Sequence, residues 1–236
     1  MNQDTDISIG TLASRLEVGD VIFARVIPRP FRKVAEATGS WTNHVGIVVE
    51  CSDGQVVVAE SKFPLSRLTP LPSFVGRSEQ GRIAVMRLPT PLTDEQHHRL
   101  LRAARRRLHT LYDSGFNLHS RRQFCSRFVR EVLDEATDIS VGEVETFAGL
   151  LSRRPDTDLS FWKMWYFGRI PWTRETVTPA SLLDCQQLRT VFSGSVVAPS
   201  VRVPFHGVGQ IHGKARFDAL VSSDEIRMGE IQIRKP

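Results

Sequence analysis

The chain has 236 residues, 41% hydrophobic and 24% charged, ordinary usage for a globular domain that excludes disordered and collagen-like chains. No apolar run approaches the roughly 18–20 residues that cross a bilayer, and the polar start Met1-Asn2-Gln3-Asp4-Thr5-Asp6 lacks the basic-then-apolar pattern of a signal peptide. The net charge of +5 raises the question of nucleic acid, but the basic residues, nearly all arginine, are scattered among acids and form no phosphate-binding stripe. Cys51, Cys125 and Cys185 make neither a disulfide framework nor a metal cage, since no pair has ligand spacing and the count is odd. The expectation is a cytoplasmic protein, or one exported without a signal peptide, with no nucleic-acid partner.

Residues 1–16 read as a leader with little packing of its own. Val18-Gly19-Asp20 leads into Val21-Ile22-Phe23-Ala24-Arg25-Val26, a β-branched run that predicts a buried strand ended by Pro28 and Pro30. A short helix over 31–38 and the breaker Gly39 precede the β-rich His44-Val45-Gly46-Ile47-Val48-Val49-Glu50. Turn chemistry at Ser52-Asp53-Gly54 returns the chain along Val56-Val57-Val58-Ala59-Glu60, which makes a β-hairpin. The stretch 64–81, punctuated by proline and glycine, predicts a connection with a short helix from Pro72 to Val75. Ile83–Leu88 is another strand, closed by Pro89 and Pro91.

Thr93 with Gln96 three residues on forms a capping box at the start of a helix. Leu100, Leu101, Ala104, Leu108 and Leu111 give that helix an apolar stripe; Arg99, Arg102, Arg105, Arg106 and Arg107 give it a solvated basic face. After a loop through 112–116, a second helix begins at or just before Cys125, with Phe128, Val129, Val132 and Leu133 on one side. Beyond residue 140 the aromatic run Phe161–Phe167 is expected to pack over the core and Thr178-Pro179 to start a short helix. The organisation expected is a leader over 1–16, a main unit over 17–190 and a β-rich extension over 191–236.

Three residues carry chemistry together. Cys125 opens a helix, where unsatisfied N–H groups and the positive end of the dipole favour a thiolate, although cysteine is also a common buried small residue. His44 starts a strand, and Glu60 closes an otherwise apolar one, which is costly unless the carboxylate has a partner. A three-residue loop at Cys51-Ser52-Asp53 puts His44 directly opposite Glu60, with β-carbons about 5 Å apart. A two-residue change of register keeps them on one face as diagonal neighbours, and an odd slip separates them. Thiolate, imidazole and carboxylate in this combination are nucleophile, base and orienter, in chain order His, Glu, Cys.

At these positions the sequence resembles a known family. Val18-Gly19-Asp20, Asn43-His44-Val45-Gly46, Val58-Ala59-Glu60-Ser61, Leu111-Tyr112-Asp113, Phe124-Cys125-Ser126 and Val177-Thr178-Pro179 follow the order of landmarks in the YiiX/YebB-like branch of the circularly permuted NlpC-type, papain-like cysteine hydrolases. The resemblance implies an α+β fold in which a small antiparallel sheet or barrel packs against the cysteine helix. It implies Cys125 as nucleophile, His44 as base, Glu60 as orienting acid and Tyr112 as a donor to the oxyanion, with no metal or organic cofactor. Arg127 and Phe128 stand where the family often shows Glu-Leu, and Phe124 replaces a more usual tyrosine.

The implied activity is hydrolysis of an amide through an acyl-enzyme, with bacterial cell-wall peptides or peptidoglycan fragments as the first substrate. Lipid or lipopeptide acyl groups are the second, with peripheral membrane contact left open. A rival of another class is a non-catalytic binding module that uses the Arg99–Arg107 face and the 161–167 aromatics as its contact surface.

Overall fold

The computed structural model describes residues 6–52 and 54–197, all within the first of two units, Met1–Ser200. In chain order the elements are β1 (Ile7–Ser8), α1 (Ile9–Ala13), β2 (Val21–Val26), α2 (Arg29–Thr38), β3 (His44–Ser52), β4 (Gln55–Ser61), β5 (Ser66–Pro70), α3 (Leu71–Val75) and β6 (Ser78–Arg87). There follow α4 (Asp94–Arg106), α5 (Cys125–Thr137), β7 (Val144–Thr146), α6 (Phe147–Arg153), α7 (Ser160–Trp165), β8 (Glu175–Val177), α8 (Pro179–Leu183) and β9 (Arg189–Val197). Seven strands form one sheet in the order β1-β9-β6-β2-β3-β4-β5, antiparallel except for the parallel β1–β9 pair, and β7 and β8 form a separate hairpin. The fold is α+β, with the sheet packed against the cysteine helix α5.

Alternation along the strands divides the core between the two faces of the sheet. Val21, Phe23, Val45, Ile47 and Ala59 meet Leu100 and Ala104 of α4 and Phe128, Val129 and Val132 of α5. Ile22, Val48, Val58 and Val85 meet Leu12 and Leu16 on one side and Leu71, Phe74 and Val75 of α3 on the other. Each of the larger of these side chains, taken fully out of water, contributes about 1.5–3 kcal/mol. Burial of Leu12 and Leu16 corrects the expectation that the leader packs little. The boundary drawn at 190/191 falls inside β9, whose Phe192 and Ser193 pair with Val85 and Ala84, so residues 191–197 belong to the sheet. The other pieces expected of the extension lie outside the described residues.

The hairpin register differs from the three-residue loop, and the difference decides the site. Ser52 pairs with Gln55, leaving two residues between them; continued unchanged, that register would put His44 and Glu60 on opposite faces. A bulge at Val49 shifts the pairing by one, so that Val48 meets Val58 and Ile47 meets Ala59. Extended, this register sets Gly46 across from Glu60, with His44 two residues further along on the same face. Any side chain at position 46 would collide with Val58 and press on the Phe74 ring, so glycine is what allows β3, β4 and α3 to close here.

Other differences have local causes. β5 was not foreseen in the stretch 64–81; its Ser66 exchanges backbone hydrogen bonds with His109 and Thr110. That capture ends α4 at Arg106, leaving Leu108 outside the helix and Leu111 exposed. The basic face of α4 is only partly solvated: Arg106 pairs with Glu135, Arg107 with Glu131 and Glu135, and Arg99 donates to the Glu135 carbonyl. The aromatic run packs only in part, for Phe161 is buried while Met164 and Phe167 face solvent. No helix among the described residues is long and apolar enough to cross a membrane.

Candidate active site

Cys125 is the first residue of α5 and is buried. No side chain caps this helix, so its first-turn N–H groups stay directed at the region of the sulfur. The turn is held by Ser126 Oγ, which donates to the Val177 carbonyl of β8 at 2.8 Å. Arg127, a departure from the family pattern, binds Glu131 one turn on at 2.7 Å and donates to the carbonyls of Ser120 and Arg122, clamping the loop that leads into the cysteine.

His44 stands at the start of β3, where both faces of the sheet can be reached. Its Nε2 lies 2.5 Å from Glu60 Oε2, and Cys125 is near enough for its sulfur to act on the same ring. With Nε2 committed to Glu60, Nδ1 is the nitrogen left for the sulfur. The ring packs on Phe74, with centroids 5.6 Å apart. Burial alone would push the imidazole down. Hydrogen bonds to Cys125 and Glu60 and the negative charge of both outweigh it, raising the imidazole from 6.5 to about 9.

Glu60 is wholly buried and fully partnered. Its Oε2 takes His44, while its Oε1 accepts from Thr69 Oγ1 at 2.6 Å and from Arg77 Nη2 at 2.6 Å. Burial would raise this carboxyl, but the hydrogen bond and charge of His44, followed by those of Arg77, bring it from 4.5 down to about 2. Arg77 lies over the Phe74 ring at 5.3 Å, so one phenylalanine separates and orients the arginine and the imidazole. Thr69, Phe74 and Arg77 were not read from the sequence. The signal that could have found them was the requirement for partners at Glu60, but β5 itself was unforeseen.

Tyr112 is brought to Cys125 by a short bridge. Tyr112 N–H donates to the Pro64 carbonyl, Asp113 N–H to the Gln123 carbonyl and Gln123 N–H to the Leu111 carbonyl, at 2.7–2.9 Å. Its buried hydroxyl makes no hydrogen bond of standard geometry. Burial first, and then the neighbouring Cys125 sulfur, raise the phenol well above its ordinary value, so it stays a proton donor at the nucleophile. All four residues expected at the site therefore meet.

The sulfur opens onto a cavity of about 90 Å³. Its walls come from α2 (Phe31, Val34), α6 (Leu150, Leu151) and α7 (Trp162), with Phe116 and Phe124 beside the cysteine. Phe116 and Phe124 meet edge to face at 5.9 Å.

Residues 15–192 match the family described as permuted papain-like amidase enzyme, YaeF/YiiX, C92 family. The chain belongs to this family. It is similar to the uncharacterized protein YiiX of Escherichia coli (strain K12), 29% identical over 185 residues that cover 78% of this chain and 90% of that protein. It also superimposes, with a TM-score of 0.68 and 28% identity over 77% of this chain and 99% of the other, on a crystal structure titled metalloprotein yiiX from Escherichia coli O157:H7. Among the described residues here, no group of three or more His, Cys, Asp and Glu side chains is placed to hold a metal ion.

Proposed function

We propose that this family member is a cysteine amidase that works through an acyl-enzyme, with Cys125 as nucleophile, His44 as acid and base, and Glu60 as the positioning carboxylate. One observation carries the reading: a single buried imidazole is held on one side by a fully partnered carboxylate and feels on the other the charge of a cysteine at a helix start. The Cys125 thiolate attacks the carbonyl carbon. The oxyanion meets the Cys125 backbone N–H and the Tyr112 hydroxyl, which has no other partner to give up. His44 passes its proton to the departing amine, then takes one from water, whose hydroxide cleaves the thioester and restores the thiolate. The catalytic unit runs from β1 to the end of β9.

The cavity lining contains no Lys, Arg, Asp or Glu, which favours an apolar acyl group over the charged cell-wall peptide expected first from the sequence. Cys125→Ala should abolish turnover of an activated acyl substrate with an unchanged circular dichroism spectrum. The Cys51→Ala, Cys185→Ala double variant should remain active, since burial and the charge of Asp20 push the Cys51 thiol up to about 11. Wild-type turnover by the Cys125→Ala protein would end the proposal.

A further inference from the structure

We infer that the face built from β5, the exposed side of α4 and the segment leading into Cys125 is a docking surface for an anionic lipid bilayer. The inference is independent of the acyl-enzyme reading, since it concerns where the protein sits and not what it cleaves. The first observation is one of charge. Residues 61–78, 96–112 and 114–130 contain twelve lysines and arginines and no aspartate or glutamate. The fold brings these three stretches together at Leu111. Leu65 pairs with Leu111, the Tyr112 N–H donates to the Pro64 carbonyl, Ser66 exchanges backbone hydrogen bonds with His109 and Thr110, and the Gln123 N–H donates to the Leu111 carbonyl.

The acids around these stretches do not offset the charge at the surface. Glu60 is wholly buried on His44, Thr69 and Arg77, and Asp113 is buried with its carboxylate accepting from the Gly115 and Asn117 N–H groups. Glu131 and Glu135 pair with Arg106, Arg107 and Arg127, and Glu79 pairs with Arg25 and Arg32. That leaves Asp94 and Glu95, which stand in the first turn of α4, at the end away from Leu111. Among the described residues the guanidinium groups of Arg102, Arg105, Arg121 and Arg122 have no hydrogen-bond or ion-pair partner, and all four residues are exposed.

The second observation is what stands among these cations. Phe63, Leu68 and Leu111 are 70%, 40% and 53% exposed. Ser66 and Leu68, two apart in β5, share a face, and Ser66 Oγ donates to the Arg107 carbonyl, so Leu68 lies beside the end of α4. Apolar side chains that project among unpaired cations match the two parts of a membrane surface: the tips enter the boundary between headgroups and acyl chains while the guanidinium groups meet lipid phosphates. A nucleic acid would use the cations but would offer Leu68 and Leu111 nothing apolar to enter.

The test is sedimentation of the full chain with sucrose-loaded vesicles of phosphatidylcholine and phosphatidylglycerol in equal parts, against vesicles of phosphatidylcholine alone, in about 0.1 M salt. Binding should require the anionic lipid and weaken as salt is raised. Arg102→Gln with Arg105→Gln should lower the partition coefficient about 25-fold, roughly fivefold for each cation lost near the surface. Phe63→Ser should lower it about tenfold, and Cys125→Ala should bind as the wild type does. Arg15→Gln with Arg189→Gln is the charge-matched control, since both residues are exposed and lie by Arg87 on the β6–β9 side of the sheet, away from β5. Thermal unfolding confirms that each variant folds. No binding to the anionic vesicles, wild-type binding by both face variants, or an equal loss in the control overturns the docking surface and leaves the acyl-enzyme reading standing. A DNA duplex bound as tightly as the anionic vesicles, with Phe63→Ser without effect on either, also overturns it, in favour of a general polyanion surface.

Discussion

Glu60→Gln is the substitution that most directly probes the site. The native carboxylate serves three donors with two oxygens: His44 on Oε2, and Thr69 and Arg77 on Oε1. An amide offers one oxygen and an NH2 group, so either the imidazole or the Thr69–Arg77 pair must face a donor. If Arg77 and Thr69 keep the oxygen, the amide NH2 meets Nε2, which must then become the acceptor. The proton moves to Nδ1, the nitrogen that faces Cys125, and the ring can no longer take a proton from the thiol. The imidazolium also loses its charge partner. The rise of His44 from 6.5 to about 9 corresponds to roughly 3 kcal/mol in favour of the charged ring, net of its burial cost. Removing one of its two partners should lower the alkaline limb of the kcat–pH profile by about one to two pH units. The turnover number should fall by about 10²–10⁴-fold, or about 3–5 kcal/mol at the barrier, with KM little changed because Glu60 does not line the cavity. The assay is release of p-nitrophenol from a p-nitrophenyl acyl ester, run from pH 5 to 10, with far-ultraviolet circular dichroism as the check on folding. A Glu60→Gln protein with wild-type kcat and an unmoved alkaline limb would refute the reasoning and make Glu60 a structural carboxylate.

Arg77→Met should lower kcat about tenfold and raise the acid limb of the profile, because Glu60 loses the cation that helps hold it near 2; Arg77→Lys should restore the limb more than the rate. Stability follows the same two groups with opposite signs. His44, raised in the fold, contributes fully below about 6.5 and loses that contribution as pH rises through about 9. Glu60, lowered in the fold, contributes fully above about 4.5 and loses it as pH falls through about 2. The excess melting temperature of the wild type over a His44→Gln, Glu60→Gln double variant should therefore be greatest near pH 5–6 and shrink by pH 10, a trend that differential scanning calorimetry can contradict. Glu131→Ala should cost about 1–3 kcal/mol in urea unfolding, since it leaves the Gln123 amide without its partner and takes from Arg107 and Arg127 a carboxylate that both bind. It should also slow acylation, because Gln123 holds the Tyr112 bridge.

Local pattern carried the elements whose cause is local. The β3–β4 hairpin follows from two β-branched runs around a turn, α4 from its capping box, and α5 from the spacing of Phe128, Val129, Val132 and Leu133 behind an uncapped cysteine. The cost of an unpartnered acid on an apolar strand made Glu60 stand out, and with it the triad as a set of residue types. What pattern could not supply was parity. The one-residue bulge at Val49, set by packing against α5 on one face and Phe74 on the other, returns His44 and Glu60 to a common face after a two-residue turn would have parted them. Nor could it supply Thr69 and Arg77, since β5 is a short strand with little hydrophobic alternation that exists by pairing with β4 and by capturing residues 109–110. The cavity is the clearest case. Its walls join α2 to α6 and α7, which lie far from it in the chain, and whether an aromatic of the 161–167 run packs inward like Phe161 or stands outward like Phe167 depends on neighbours that only the folded chain brings near. Residue types and short-range spacing thus determined which chemistry was available, whereas register and long-range packing decided whether those groups meet and what they face when they do.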